Sequence, residues 1–330
     1  MKKIFALLLS AALLVTLLAA CGGGNTTDTD TDTQEPATDA STTQVEEQEP
    51  DTGDASKDDP LNQDEIGEKE LLVVSFGTSY NDSRRETIGA IEKAMQPAVP
   101  NYSVRRAFTS QIIIDHVKDR DGVTIDNVEQ ALERAVNNGV KTLVVQPTHL
   151  MNGLEYEELT DELAKYSDSF EKIAIGDPLL TSDADFEAVM TAITDATKDA
   201  ADGKTAICFM GHGTTADSNS VYSKMQTLLT DKGFNDYYVG TVEATPSLDD
   251  VLAAVQKGSY EKVILRPLMI VAGDHANNDM AGDEDDSWKS TFEKAGYTVD
   301  CQVEGLGQLE AIQQLFVEHA KAAVASAEAE

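Results

Sequence analysis

The chain of 330 residues is strongly acidic, with 59 Asp and Glu against 25 Lys and Arg and a formal net charge of −34. This charge argues against a nucleic-acid-binding protein, because contact with the phosphate backbone requires a cationic surface. The hydrophobic fraction of 41% still supports a core, and a chain of this length has room for about two domains.

The N-terminus has the pattern of an export signal. Lys2 and Lys3 precede an apolar run at residues 4–20, which ends in Leu-Ala-Ala-Cys at Cys21. This order predicts a secretory signal over residues 1–21, and its last four residues resemble the bacterial lipobox, in which the cysteine is lipidated. A run of about 17 apolar residues is at the short limit for a membrane span. We therefore expect an exported chain that is anchored by lipid to the extracytoplasmic face of the membrane; the alternative is an ordinary signal peptide with a coincidental cysteine.

The segment after the signal changes character. Residues 22–66 are rich in Thr, Asp, Glu, Gln, Gly and Pro and have almost no large apolar side chains. A segment of this composition cannot bury enough surface to offset its chain entropy. It is predicted to be a disordered acidic tether, which its like charges keep extended.

The rest of the chain reads as the same α/β unit twice. Apolar runs predict strands at 71–74, 102–108 and 141–146 in the first half, and at 206–210, 237–241 and 262–265 in the second. Helical patterns fall between them, at 84–95, 128–137, 220–229 and 248–256. Alternating elements of these lengths predict parallel sheets flanked by helices. We expect two similar lobes, at residues 67–202 and 203–330, with a cleft between them.

The turns repeat as well, and they place unlike side chains at matching positions. Gln146-Pro147 before Gly153 parallels Arg266-Pro267 before Gly273. The alignment then matches His212 with Phe76, His275 with Glu155, and Glu243 with Phe108. The three second-lobe positions lie just past the carboxyl ends of predicted strands. Ligand sites of open α/β sheets are built there. One lobe therefore offers a polar, metal-binding wall and the other a mainly apolar wall.

His212, Glu243 and His275 form the candidate metal site, on the lobe at 203–330. Two His and one Glu suit a divalent transition metal such as cobalt, nickel, iron or zinc. His149, at the end of a strand in the first lobe, is a candidate for the cleft wall, with a packed histidine as an equal alternative. The sequence contains neither Gly-x-x-x-x-Gly-Lys nor Gly-x-Gly-x-x-Gly, so we expect no nucleotide.

Cys208 and Cys301 lie in apolar, strand-like runs. Free cysteines of this kind are usually buried thiols. The sequence leaves open whether these two are joined, and it also leaves open whether the chain forms a homo-oligomer.

Five dispersed motifs resemble one known family, the sirohydrochlorin cobaltochelatases of the anaerobic pathway. They are LVVSFGTS at 72–79, RAFTS at 106–110, NGLEYE at 152–157, MGHG at 210–213 and GDHANNDM at 273–280. The resemblance covers about residues 70–320. It implies the class II chelatase fold, and insertion of Co2+ into sirohydrochlorin without ATP, on the way to cobalamin. Fe2+, Ni2+ and Zn2+ are the alternative metals.

The resemblance also implies roles for individual residues. His212, Glu243 and His275 bind the incoming metal, and His212 accepts protons from the pyrrole nitrogens, with Glu243 assisting. The residues expected to face the tetrapyrrole are Phe76, Phe108, His149, Glu155, Arg106, Met210 and Arg266. The export signal departs from cytosolic members of the family, and it motivates two alternatives: a surface-anchored haem, tetrapyrrole or metal binding protein on a chelatase fold, and a metal-only receptor.

Overall fold

Two parallel sheets of four strands form the framework of the computed structural model, which describes residues 51–329. The first sheet contains β1 (Lys69–Ser75), β2 (Ser103–Phe108), β3 (Thr142–Pro147) and β4 (Lys172–Ile175). The second contains β5 (Thr205–Gly211), β6 (Tyr237–Thr241), β7 (Lys262–Pro267) and β8 (Thr298–Cys301). The strand orders are β2-β1-β3-β4 and β6-β5-β7-β8. The identical order confirms the predicted duplication.

Burial of the inner strands explains the unbroken apolar runs in the sequence. β3 and β5 are buried along their whole length, and β1 is buried from its second residue onward. A parallel strand that is covered on both faces must be apolar on both faces. Unbroken apolar runs such as residues 71–74 meet this requirement.

Ten α-helices cover the sheets within the described residues. Their bounds are α1 (Asn81–Glu86), α2 (Ile88–Ala98), α3 (Gln111–Asp121), α4 (Val128–Asn137), α5 (Leu154–Ala164), α6 (Asp183–Thr197), α7 (Ser220–Asp231), α8 (Leu248–Val255), α9 (Trp288–Lys294) and α10 (Glu310–Ala329). The helix predicted at 84–95 is divided at Thr87, whose hydroxyl donates to the Ser83 carbonyl at 2.6 Å. Every helix within residues 51–329 is too short or too polar to cross a membrane.

The last helix of each lobe packs on the other lobe. α10 lies against α2, β3 and β4 of the first lobe, while α6 lies against α7 of the second and against α10. The boundary predicted at 202/203 therefore does not separate the two lobes in space, because α10 follows it in sequence but packs on the first sheet. The buried face of α10 includes Phe316 and Ala320. Side chains of both sheets, such as Val73 and Phe209, join one hydrophobic core with Phe316.

The end of the segment predicted as a tether is packed on the fold. Asp58 is buried and accepts hydrogen bonds from Arg84 Nε and Arg106 Nη1, both at 2.6 Å. Arg106 also pairs with the buried Glu92. Burial opposes the charge on Asp58, but the hydrogen bonds and charges of the two guanidinium groups prevail and lower its pKa. The polar composition of residues 51–66 gave no sign of this, because the segment is held by a single buried carboxylate and by only two apolar side chains, Leu61 and Ile66.

Cys208 and Cys301 are free thiols on strands that flank β7. Each lies beside Leu265, on opposite sides of that strand. A disulfide between them is excluded, because β7 runs between the two cysteines.

Replacing Asp58 with Ala is expected to lower the free energy of unfolding by about 3–5 kcal/mol, because the substitution leaves a buried guanidinium without its carboxylate. Denaturant unfolding followed by circular dichroism measures the change. Asp54→Ala is the matched control in the same segment. Asp54 is exposed and caps a short 3₁₀ turn, so the expected loss is much smaller than that of Asp58→Ala. Equal losses in the two variants would contradict a special role for Asp58.

The contribution of Asp58 should also depend on pH. Its pKa in the folded protein lies below the ordinary value of 3.8, so its stabilisation is complete well above pH 3.8. The stabilisation is lost as the pH falls below that value and through the folded-state pKa. The stability difference between the native chain and Asp58→Asn should therefore shrink in acid; a constant difference would contradict the ion pair.

Candidate metal centre

A cavity of about 310 Å³ lies where the inner strands of the two sheets end. Each lobe contributes two loops to its wall, which follow β1 and β3 in the first lobe and β5 and β7 in the second. These four strands are equivalent pairs in the repeat. The cavity is therefore at the carboxyl ends of the strands, as expected for an α/β ligand site.

His212 and His275 line the side of the cavity that the second lobe forms, and Glu243 lies next to them. Their potential ligand atoms all lie within 4.8 Å of one another. His212 Nε2 is 3.9 Å from Glu243 Oε1, and the two imidazole rings have centroids 4.7 Å apart. Two imidazoles and one carboxylate at this spacing can hold a divalent transition metal.

Hydrogen bonds fix the tautomer of both histidines. His212 Nδ1 lies 2.7 Å from the Gly213 carbonyl oxygen, and His275 Nδ1 lies 2.8 Å from Asp279 Oδ2. Both partners accept hydrogen bonds, so Nδ1 carries the proton in each ring. The Nε2 lone pairs are thereby left free to bind a metal, and the carboxylate of Asp279 orients its ligand as carboxylates commonly do in metal sites.

Small residues around His212 are required by close packing. Gly213 has φ of +90°, and a Cβ there would lie 2.9 Å from Thr241 and Ala244. A Cβ on Gly211 would collide with the Tyr222 ring at 2.1 Å. The Glu243 amide then donates to the His212 carbonyl at 2.9 Å, which ties two of the candidate ligands together.

The loop that carries His275 is held by the first lobe. The Ala272 amide donates to Ser83 Oγ of α1 at 3.0 Å, and Gly273 passes so close to Thr78 that a Cβ would lie 3.2 Å from its hydroxyl. A π-helical turn at Ala276–Met280 follows and brings Asp279 back to His275. The geometry of this candidate ligand therefore depends on both lobes.

The first lobe forms the other wall. Phe76 is 49% exposed and lines the cavity together with Ile113, Met151, His149 and Glu155. Burial lowers the pKa of His149 to about 4, with Glu155 acting in the opposite direction. This wall is mainly apolar, as expected, but it includes one buried imidazole and one carboxylate.

Four residues expected to face the ligand lie elsewhere. Phe108 is buried beneath Gly77, and Met210 is buried in the core of the second sheet. Arg106 is bound to Asp58 and Glu92, and Arg266 to Gln302 and Glu304. None of the four is among the residues that line the cavity within 51–329. Proximity to a strand end does not specify the face of the sheet on which a side chain lies, so these expectations were wrong.

Asp279 is the residue that sequence reasoning missed. Asp279 follows His275 by four residues, a spacing that puts the two side chains on one face of a helical turn. That spacing was the available signal.

A family model described as cobalt chelatase (CbiK) matches residues 69–325. The chain belongs to the CbiK cobalt chelatase family. A sirohydrochlorin cobaltochelatase from Salmonella typhimurium is 38% identical over 251 residues, which cover 76% of this chain and 94% of the relative. A second relative, sirohydrochlorin cobaltochelatase CbiKC from Nitratidesulfovibrio vulgaris, is 30% identical over 260 residues, which cover 78% and 91%.

Solved structures agree with this cobalt chelatase assignment at the level of the fold. SirB from Bacillus subtilis with Fe3+ superposes with a TM-score of 0.57 at 14% identity, covering 80% of this chain and 98% of SirB. A sirohydrochlorin chelatase SirB in complex with cobalt gives a TM-score of 0.55, also at 14% identity and with the same coverage. The fold expected from the sequence is confirmed.

Replacing Asp279 with Ala should weaken Co2+ binding by about 10–100-fold, because loss of a partner that orients a metal ligand typically has this effect. Calorimetric titration of the full chain with Co2+ measures the affinity. Asp286 is an exposed acid in the following loop, so Asp286→Ala should bind Co2+ as the native chain does. Equal affinities in both variants would refute the role of Asp279.

Proposed function

We propose that this protein is a sirohydrochlorin cobaltochelatase, which inserts Co2+ into the tetrapyrrole without a nucleotide. The observation that carries the proposal is the grouping of His212, Glu243 and His275, two of which line an interlobe cavity. The chain that carries this set belongs to the cobalt chelatase family. The metal is a substrate of this reaction, and the protein's own groups supply the chemistry.

Insertion requires that water is stripped from the metal and that two pyrrole protons leave the macrocycle. The Nε2 atoms of His212 and His275 replace water on the metal, since each neutral ring presents a free lone pair there. The Glu243 carboxylate offsets part of the metal charge. Phe76 presents an exposed apolar ring to the cavity, which suits contact with the face of a flat macrocycle.

Co2+ is the proposed metal, because both close relatives are named cobaltochelatases. Two imidazoles and a carboxylate would also accept Fe2+, Ni2+ or Zn2+. Parallel assays with each of these ions rank them.

We also propose that the enzyme acts outside the cytoplasm, held by lipid at Cys21. The positive start, the apolar run and the Leu-Ala-Ala-Cys sequence support this proposal; they lie outside the described residues. An extracytoplasmic location also suits an alternative function. In that function, a surface-anchored protein binds a finished metallotetrapyrrole or a metal ion without turnover.

The proposed chelatase activity is tested by following the absorbance spectrum of the macrocycle over time. The full chain is mixed with sirohydrochlorin and Co2+ and compared with a control without protein and with the His212→Ala variant. The native chain should accelerate metallation, and His212→Ala should lose most of the rate, since the substitution removes a metal ligand. A spectrum that shifts on binding without turnover would favour the binding protein instead.

Replacing Cys21 with Ser tests the anchor. The native chain should be recovered in the membrane fraction, with a mass that includes a lipid, because the lipid of a lipoprotein is attached to the cysteine sulfur. Cys21→Ser should lose the lipid mass and leave the membrane fraction after cell fractionation. The matched control is Cys301→Ser, which changes a thiol far along the chain. Membrane recovery of Cys21→Ser without lipid would contradict the proposal.

A further inference from the structure

His149 is a buried imidazole without a protein partner for either ring nitrogen. The residue follows β3, is 9% exposed and lines the interlobe cavity. Its carbonyl accepts a hydrogen bond from the Leu179 amide at 3.0 Å, so the backbone is fixed. Neither Nδ1 nor Nε2 has a partner among the described residues. Leaving a buried donor and a buried acceptor unpaired is costly, which points to a partner that arrives with the ligand.

The neighbours of His149 do not supply that partner. The hydroxyls of Ser75 and Thr148 also line the cavity, but they lie 2.6 Å apart and bond to each other. Glu155 lines the same wall and is the charge that favours the protonated form of the ring. Burial keeps the pKa of His149 at about 4, so the ring is neutral near pH 7. A neutral ring can accept a proton without first losing one.

The two histidine ligands cannot accept a proton while they hold the metal. His212 Nδ1–H donates a hydrogen bond to the Gly213 carbonyl, and His275 Nδ1–H donates one to the Asp279 carboxylate. The one remaining lone pair of each ring is on Nε2, where the metal binds. Deprotonation of the macrocycle beside the held metal therefore requires a different base. This reasoning replaces the expectation that His212 performs both tasks.

We propose that His149 accepts a proton from a pyrrole nitrogen of the bound tetrapyrrole, so that one lobe holds the metal and the other removes protons. The inference rests on the proposed chelatase function. In each transfer the pyrrole N–H bond breaks, its electron pair stays on nitrogen to bind the metal, and the proton bonds to the free imidazole nitrogen. The imidazolium then passes the proton to Glu155 or to water at the cavity mouth. Two such transfers balance the charge of one divalent cation.

The test uses the full chain with His149→Phe and His149→Gln, and His116→Gln as the control. Phe keeps an aromatic ring without a basic nitrogen, and Gln restores hydrogen bonding without accepting a proton. His116 is an exposed histidine on α3 that does not line the cavity. Three quantities are measured: Co2+ affinity by calorimetry, affinity for metal-free sirohydrochlorin by absorbance titration, and the rate of metallation.

Both His149 variants should bind Co2+ as the native chain does, yet metallate about 10²–10⁴-fold more slowly, the typical contribution of a general base. Full activity in His149→Phe would overturn the inference, as would recovery in His149→Gln, which would mean that hydrogen bonding suffices. Loss of Co2+ binding in both variants would place His149 among the metal ligands and overturn it too. Absence of turnover in the native chain would instead refute the proposed function and this inference with it.

Discussion

The exchange of terminal helices between the lobes is the constraint on which the site depends. α10 leaves the second lobe and packs on α2 and the first sheet, while α6 leaves the first lobe and packs on α7. Because α2 and α7 are equivalent in the repeat, the exchange is reciprocal. Separation of the lobes would expose the large buried side chain of Phe316 to water, at a substantial cost in free energy. The cavity is thus an opening in one continuous core, and its two walls have a fixed spacing.

Within this shared framework, the duplicated backbone supports different chemistry on each side. The loop after β5 presents His212 where the loop after β1 presents Phe76, and the loop after β7 presents His275 where its counterpart presents Glu155. The third pair is corrected by the register of the two sheets: the Glu243 amide donates to the His212 carbonyl just as the Ser110 amide donates to the Phe76 carbonyl, so the counterpart of Glu243 is Ser110 and not Phe108. The repeat therefore predicts where loops lie better than it predicts what each side chain contacts.

This limit also describes what the sequence could reveal. Strands such as residues 71–74 and 206–210 were predictable because burial on both faces imposes an unbroken apolar run. The grouping of His212, Glu243 and His275 was predictable because parallel strands end at one edge. The positions of Arg106 and Arg266 were not, because a long charged side chain beside a strand end can turn toward the ligand or toward a distant carboxylate. The packing of α10 depends on contacts between residues more than 200 positions apart, such as Tyr102 and Glu328, and no local pattern encodes them.

The buried position of Asp58 has a mechanical consequence if the proposed lipid anchor holds the chain at its N-terminus. A pull on the chain at residue 51 reaches Asp58 before it reaches β1, the central strand of the first sheet. The two guanidinium groups that bind this carboxylate belong to α1 and β2. The force is therefore distributed over several elements and does not act on the hydrogen bonds of β1 alone. Asp58 therefore transfers a force on the N-terminal segment to α1 and β2, so that β1 does not bear it alone.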